Sequence, residues 1–169
     1  MGEKIALTLA PLTDSVSGDA ARVKIDALAG LGIAAFDHLP ANFRLKLRVH
    51  ATPNTRAFGV CVRGSGRYEK AHELRLEPAR EKVGWRPADA GTLDEHAGSA
   101  IYAVEGLDRP IEIEVIVKDD LLDVCIDGRR TLIARAAPSF TGDRLFLFAQ
   151  NGGATFENIE VQPLAPPAD

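Results

Sequence analysis

Glu112 and Glu114 stand two apart in a run that alternates strictly, Ile111, Glu112, Ile113, Glu114, Val115. On a β-strand that spacing puts both carboxylates on one face, about 6.6–6.8 Å apart. Two carboxylates flanking a glycosidic bond are the usual machinery of glycoside hydrolysis, about 5–5.5 Å apart for retention and further apart for inversion. The competing reading is a solvated sheet face, with Arg44, Lys46 and Arg48 on a neighbouring strand as cross-strand ion-pair partners.

A second set of residues suits sugar binding rather than bond cleavage. Aromatic rings serve as platforms for the apolar faces of sugars, and planar polar groups meet the hydroxyls. The chain has one Trp, two Tyr and seven Phe. The candidates are Trp85, Tyr68 and Tyr102, with Arg67 and Arg86 next to two of them in sequence. For Trp85 the favoured reading is that it seals the sandwich edge or packs under the long loop, and Tyr68, which follows a turn, is expected to be exposed. The basic row Arg44, Lys46, Arg48, His50 could meet hydroxyls or a carboxylate-bearing sugar, or simply be a wet face.

Other motifs carry less. His38, His50, His72 and His96 are scattered without metal-ligand spacing and read as surface or packing residues. His96 lies in the longest loop, beside Asp94 and Glu95. Arg63-Gly-Ser-Gly-Arg67 resembles a phosphate cradle only superficially. A real one must open a helix, and this run joins two strands. No Gly-x-Ser-x-Gly elbow supports a nucleophilic serine. Asp119-Asp120 reads as a polar turn, with calcium as the alternative. Cys61 and Cys125 show no zinc spacing and read as small buried or half-buried thiols, a disulfide between strands being the alternative. No cofactor is expected, calcium aside.

The elements that must position these groups are strands. Residues 43–50, 58–62, 111–117 and 122–126 alternate apolar and polar, as half-buried strands do. Residues 144–150 are apolar on both faces, as a central, covered strand would be. Shorter candidates are 5–9, 22–27, 32–36, 73–77, 82–85, 101–104, 131–135 and 155–161. Residues 19–28 could form a helix capped by Ser17, but Val23, Ile25 and Ala27 alternate with Arg22, Lys24 and Asp26, which favours a strand. Turn signals fall at Pro53-Asn54, Gly64-Ser65-Gly66, Asp127-Gly128 and Asn151-Gly152-Gly153. Residues 87–99 lack either period and read as a loop with one helical turn at 93–96. Many short strands at this spacing predict an all-β sandwich or barrel. Residues 1–162 form one domain in this reading, and 163–169 (PLAPPAD) a flexible tail.

The 169 residues are 46% hydrophobic and 26% charged, enough for a core without metal or disulfide staples. A net charge of −4 argues against a nucleic-acid or anionic membrane surface as partner. No N-terminal segment has the charged start and long apolar run of a leader, so the chain as given reads as cytoplasmic, or as secreted if a leader was removed.

Three runs, AFGVCVRGSGRYEKAHELRLEP (57–78), IVKDDLLDVCIDGRRTL (116–132) and GDRLFLFAQNGGATFENIEV (142–161), resemble the C-terminal β-sandwich of glycoside hydrolase family 32 enzymes. That sandwich is a concanavalin A-like jelly roll of two antiparallel sheets. The closing run, through Asn158-Ile159, also resembles the end of the 3-keto-disaccharide hydrolase family. Family 32 catalysis resides in an N-terminal propeller with Asn-Asp-Pro, Arg-Asp-Pro and Glu-Cys motifs, and none of these occurs here. Jelly-roll glucanases use three alternating acids, and Ile116 takes the third place. The resemblance therefore implies a non-catalytic, lectin-like carbohydrate module that binds a glycan weakly, packs against a glycoside hydrolase domain, or forms a homo-oligomer. The alternatives are a small jelly-roll glycosidase or keto-sugar hydrolase using Glu112 and Glu114, and a structural or oligomerisation protein without ligand.

Overall fold

The alternating segments become strands in the computed structural model, which describes residues 3–89 and 98–164. In chain order they are β1 (Leu9–Pro11), β2 (Val16–Gly18), β3 (Arg22–Phe36), β4 (Phe43–Ala51), β5 (Ala57–Ser65) and β6 (Lys70–Glu77). After a 3-10 turn at Pro78–Arg80 follow β7 (Lys82–Asp89), β8 (Ser99–Ile101), β9 (Ile111–Lys118), β10 (Leu121–Ile126), β11 (Arg129–Arg135) and β12 (Arg144–Pro163).

Every pairing among the described strands is antiparallel. Two strands belong to both layers of the resulting jelly-roll sandwich. The first half of β12 pairs with β5 and its second half with β4, while β3 follows it along both halves. The first sheet therefore runs β11-β10-β9-β4-β12-β3-β2, and the second β8-β7-β6-β5-β12-β3-β1. The fold expected from the sequence is the fold observed.

The core lies between the layers. Phe43, Leu45, Leu47 and Val49 of β4 and the alternate residues of β9 face Phe58, Val60 and Val62 of β5, Leu74 and Leu76 of β6, and Trp85 of β7. Burying each of the larger side chains is worth ~1.5–3 kcal/mol. This is the consequence of period-two patterning, in which one face of each strand is dry.

Several expectations change. Residues 22–27 and 32–36 are one strand, as are 144–150 and 155–161, so the helix alternative at 19–28 is excluded. Asn151-Gly152-Gly153 is not a turn. The register shifts there, so that residues 28–30 of β3 stand opposite Asn151 alone. Asn151 (φ 48°), Gly152 (φ 155°) and Gly30 (φ 89°) absorb the bend, and the Gly30 N–H donates to Asn151 Oδ1 at 2.8 Å. The expected turn at 64–66 moves to 66–69, because β5 runs on to Ser65 past a left-handed Arg63 (φ 53°). Residues 87–89, read as loop, continue β7, and 99–101 form β8. The helical turn expected at 93–96, with His96, lies outside the described residues. At the C-terminal end β12 runs through Pro163, which stands opposite Phe43, and the Leu164 N–H donates to Asn42 O at 3.1 Å.

The hairpin at Asp127-Gly128 is as expected. Both residues have positive φ (50° and 78°), the two-residue turn whose twist matches the strands. Asp119-Asp120 makes the turn between β9 and β10, with the Asp120 carboxylate 2.9 Å from Arg135 Nη1. No group of three or more potential metal ligands occurs among the described residues.

Candidate functional site

The outer face of the second sheet departs from a simple wet surface. Its residues on β6 are Ala71, Glu73, Arg75 and Glu77, and the last three replace what a covered sheet would fill with apolar groups. Over β3, β5 and β12 this face is apolar: Ile33, Ala35, Cys61, Phe146 and Phe148 are buried beneath Leu12 and Tyr68. Over β6 and β7 it carries charges, at Glu73, Arg75 and Glu77 and at Lys82 and Arg86.

Two buried carboxylates organise the charges. Glu73 accepts a hydrogen bond from Arg86 Nε at 2.8 Å and another from the Tyr68 hydroxyl, and lies 3.7 Å from Arg75 Nη1. Glu77 lies 3.3 Å from Arg75 Nε, 3.4 Å from Arg80 Nη1 and 3.8 Å from Lys82 Nζ. Arg75 Nη2 also donates to Gln150 Oε1 at 2.6 Å. Register builds this set: β6 places Glu73 beside Arg86 and Glu77 beside Lys82 across the β6–β7 pair. Buried charges are tolerable only when paired and hydrogen-bonded, and both acids are.

The opposite neighbour of Arg75 on each side is a glycine, Gly59 on β5 and Gly84 on β7. A Cβ at Gly59 would lie 1.9 Å from Leu74 O. With no side chain at Gly84, a cavity of about 230 Å³ opens above β7. Arg75, Glu77, Arg80, Lys82 and Arg86 line it, with Tyr102 at its side. Tyr102 is exposed, and Lys82 Nζ sits 5.6 Å from its ring centroid. A fixed polar floor beside an exposed aromatic ring can hold a polyhydroxylated ligand by hydrogen bonds on one side and apolar contact on the other.

The residues singled out from sequence are dispersed over the molecule. Arg86 lines this cavity. Trp85 borders it, but its ring is packed in the core between the sheets, and its Nε1–H has no hydrogen-bond partner among the described residues. Tyr68 is half-buried rather than exposed, because its ring packs on Phe146 and Phe148. Its hydroxyl accepts from Cys61 Sγ at 3.2 Å and donates to Glu73. Burial pushes this hydroxyl well above its ordinary pKa, with Cys61 and Glu73 adding to the shift, so it remains a donor. Arg67 is exposed and donates to Leu12 O at 2.7 Å, outside the cavity. Arg44, Lys46, Arg48 and His50 lie on the outer face of the other sheet.

On that other face Glu114 receives both Nε and Nη2 of Arg44, at 2.9 and 3.0 Å, with Lys46 Nζ at 4.0 Å. The expected cross-strand pair is thus present for Glu114. Arg48 stands opposite Glu112 in register but points its Nε to Glu157 at 4.0 Å. Glu112 is exposed, and both glutamates border a cavity of about 400 Å³ that also includes Arg48 and Asn158. Cys61 and Cys125 are not joined in a disulfide. They sit on the outer faces of opposite sheets, which are stacked about 10 Å apart, so they cannot pair.

Arg75, Glu73, Glu77, Arg80 and Lys82 were not among the sequence candidates. Glu73-x-Arg75-x-Glu77 followed by Lys82-x-Gly84-x-Arg86 alternates as the wet face of β4 does. The glycine opposite the central arginine is the signal that distinguishes a recess from a flat surface.

His72 points inward at the edge of the sandwich. It is buried, its Nε2 accepts the Ala137 N–H at 3.0 Å, and its ring lies 4.7 Å from that of Phe140. Burial, helped by the Arg63 charge, lowers its pKa to about 4.

No family model and no curated protein matches the chain. Solved structures do, as folds. Carbohydrate binding module CBM66 from Bacillus subtilis is 11% identical with a TM-score of 0.76, covering 92% of this chain and 95% of the module. The Emp47p carbohydrate recognition domain is 13% identical with a TM-score of 0.66, covering 96% of this chain and 91% of the domain. A fructosyltransferase from A. japonicus is 12% identical with a TM-score of 0.64, and the match spans 95% of this chain but 27% of the enzyme. The neighbours are thus carbohydrate-binding and glycosyl hydrolase-related sandwiches, and at these identities the likeness is one of fold.

Proposed function

We propose that this chain is a non-catalytic, carbohydrate-associated β-sandwich module that binds a glycan at the recess over β6 and β7. The observation that carries the reading is the pre-organised cavity, in which the buried Glu73 and Glu77 hold Arg75, Arg86 and Lys82 in place beside the exposed Tyr102. Donors locked by a second layer of acids lose little freedom on binding, which favours affinity for hydroxyl-rich ligands. The structural neighbours include a carbohydrate binding module and a segment covering about a quarter of a fructosyltransferase, and both support the role of an accessory domain akin to the closing sandwich of family 32 enzymes. Packing against a hydrolase domain or a second copy is part of the same proposal.

The test is a glycan array of fructans, glucans and galactans, neutral and acidic, followed by calorimetry of the strongest binder. Tyr102→Ala, at an exposed position, should abolish the signal without changing thermal stability. Failure of every glycan to bind a folded protein at millimolar concentration would exclude the lectin reading. Light scattering on the same sample checks for a dimer.

A second reading draws on the cavity that holds Glu112 and Glu114. There Glu112 would serve as acid or base and Glu114, held by Arg44, as its partner. Turnover of aryl glycosides that vanishes in Glu112→Gln would establish it, and no turnover in the parent protein would dismiss it.

A further inference from the structure

We infer that the recess takes an acidic saccharide, one whose ring carries a carboxylate or sulfate group; this rests on the glycan-binding reading above. Four cationic side chains, Arg75, Arg80, Lys82 and Arg86, meet there against two carboxylates, Glu73 and Glu77. Among the described residues the local surplus is two positive charges, in a chain whose net charge is −4.

Depth sharpens the asymmetry. The Glu73 and Glu77 side chains are 2% and 7% exposed, whereas Arg75 is 12%, Arg86 16%, Lys82 19% and Arg80 54% exposed. Glu77 lies in the floor, Glu73 is buried behind Arg75 and Arg86, and the cations form the walls, so an entering ligand meets positive charge first. Glu77 is also divided among three cations at 3.3, 3.4 and 3.8 Å, distances longer than a charge-assisted hydrogen bond of about 2.7–2.9 Å. None of the three is saturated by it. An incoming oxyanion would complete their hydrogen bonding, and the combined positive potential of the cluster would draw it in. Tyr102, exposed and tied to Lys82, supplies the ring contact that a free anion would not use.

The experiment is calorimetry on the full chain with matched probes: neutral methyl hexopyranosides of the gluco, galacto and manno series, their uronates, their 6-sulfates, and inorganic sulfate. At least one uronate or sulfate ester should bind about tenfold or more tighter than its neutral parent, the size of one charge-assisted hydrogen bond. The advantage should shrink as salt rises from about 0.02 to about 0.5 M. Arg80→Gln and Lys82→Met, checked for unchanged melting, should weaken binding of the acidic sugar by a larger factor than binding of its neutral parent. The uronate and sulfate arms then decide which group is recognised. Equal affinity for neutral and acidic sugars would overturn the inference and leave the glycan-binding reading intact. Binding of inorganic sulfate as tight as that of the sulfated sugars would overturn the saccharide part. Silence from every sugar, with the array also blank, would remove the glycan-binding reading itself.

Discussion

Acid should destabilise the sandwich through His72 as the pH falls below about 6.5. The ring is neutral in the folded chain, accepting the Ala137 N–H and packed on Phe140, with its pKa lowered from 6.5 to about 4 by burial and by the Arg63 charge. The unfolded chain binds a proton below about pH 6.5, where the folded chain does not until about pH 4. Folding stability is therefore complete above pH 6.5, falls as the pH drops through the window between, and levels off below about 4. At about 1.4 kcal/mol per unit the shift corresponds to at most about 3.5 kcal/mol, and nearer about 2 once solvent screening at the sandwich edge is allowed for. Urea midpoints measured from pH 7.5 to 4.5 in the parent and in His72→Gln check this. Glutamine can still accept the Ala137 N–H but cannot charge, so its stability should change little above pH 5. Parallel loss of stability in both proteins across that window would refute the assignment.

Three further outcomes follow from the packing. Arg86→Met removes the closest cationic partner of buried Glu73 and should cost about 2–4 kcal/mol in urea unfolding, with partial recovery in the double variant carrying Glu73→Gln. Gly59→Ala places a methyl group 1.9 Å from Leu74 O and should cost about 1–3 kcal/mol or more, read as a drop in melting temperature. Arg44→Ala breaks the bidentate pair with Glu114 on the outer face of the first sheet and should cost under about 1 kcal/mol, because both groups are partly solvated.

Much of the fold was legible because β4, β9 and β10 each keep one dry face, and a period of two has only one interpretation at that length. The Asp127-Gly128 hairpin was legible for a local reason, since two successive positive-φ positions require those residue types. The long strands were not. Asn151 and Gly152 supply left-handed or extended backbone equally well to a turn and to a bulge, and only the pairing with residues 28–30 of β3 decides between them. Site residues failed for a related cause. Arg44, Lys46 and Arg48 on β4 and Arg75 and Lys82 on β6 and β7 show the same alternation in sequence. What separates them is that Glu73 and Glu77 are covered, and coverage comes from Tyr68 and neighbouring strands that sequence does not place beside them. Trp85 misled by type: a large aromatic among polar neighbours suits a platform, yet its register with Leu74 turns it into the core.

Because β3 and β12 run unbroken from one layer into the other, the molecule has no seam along which its halves can part. Every strand is reached from every other through a single ladder of backbone hydrogen bonds. Separating the layers means breaking that ladder at the bend, which also uncovers the apolar faces of both. The two sheets should then melt as one cooperative unit. A nick between Gln150 and Gly152 would leave two fragments that remain folded only together, each lacking a central strand that the other carries.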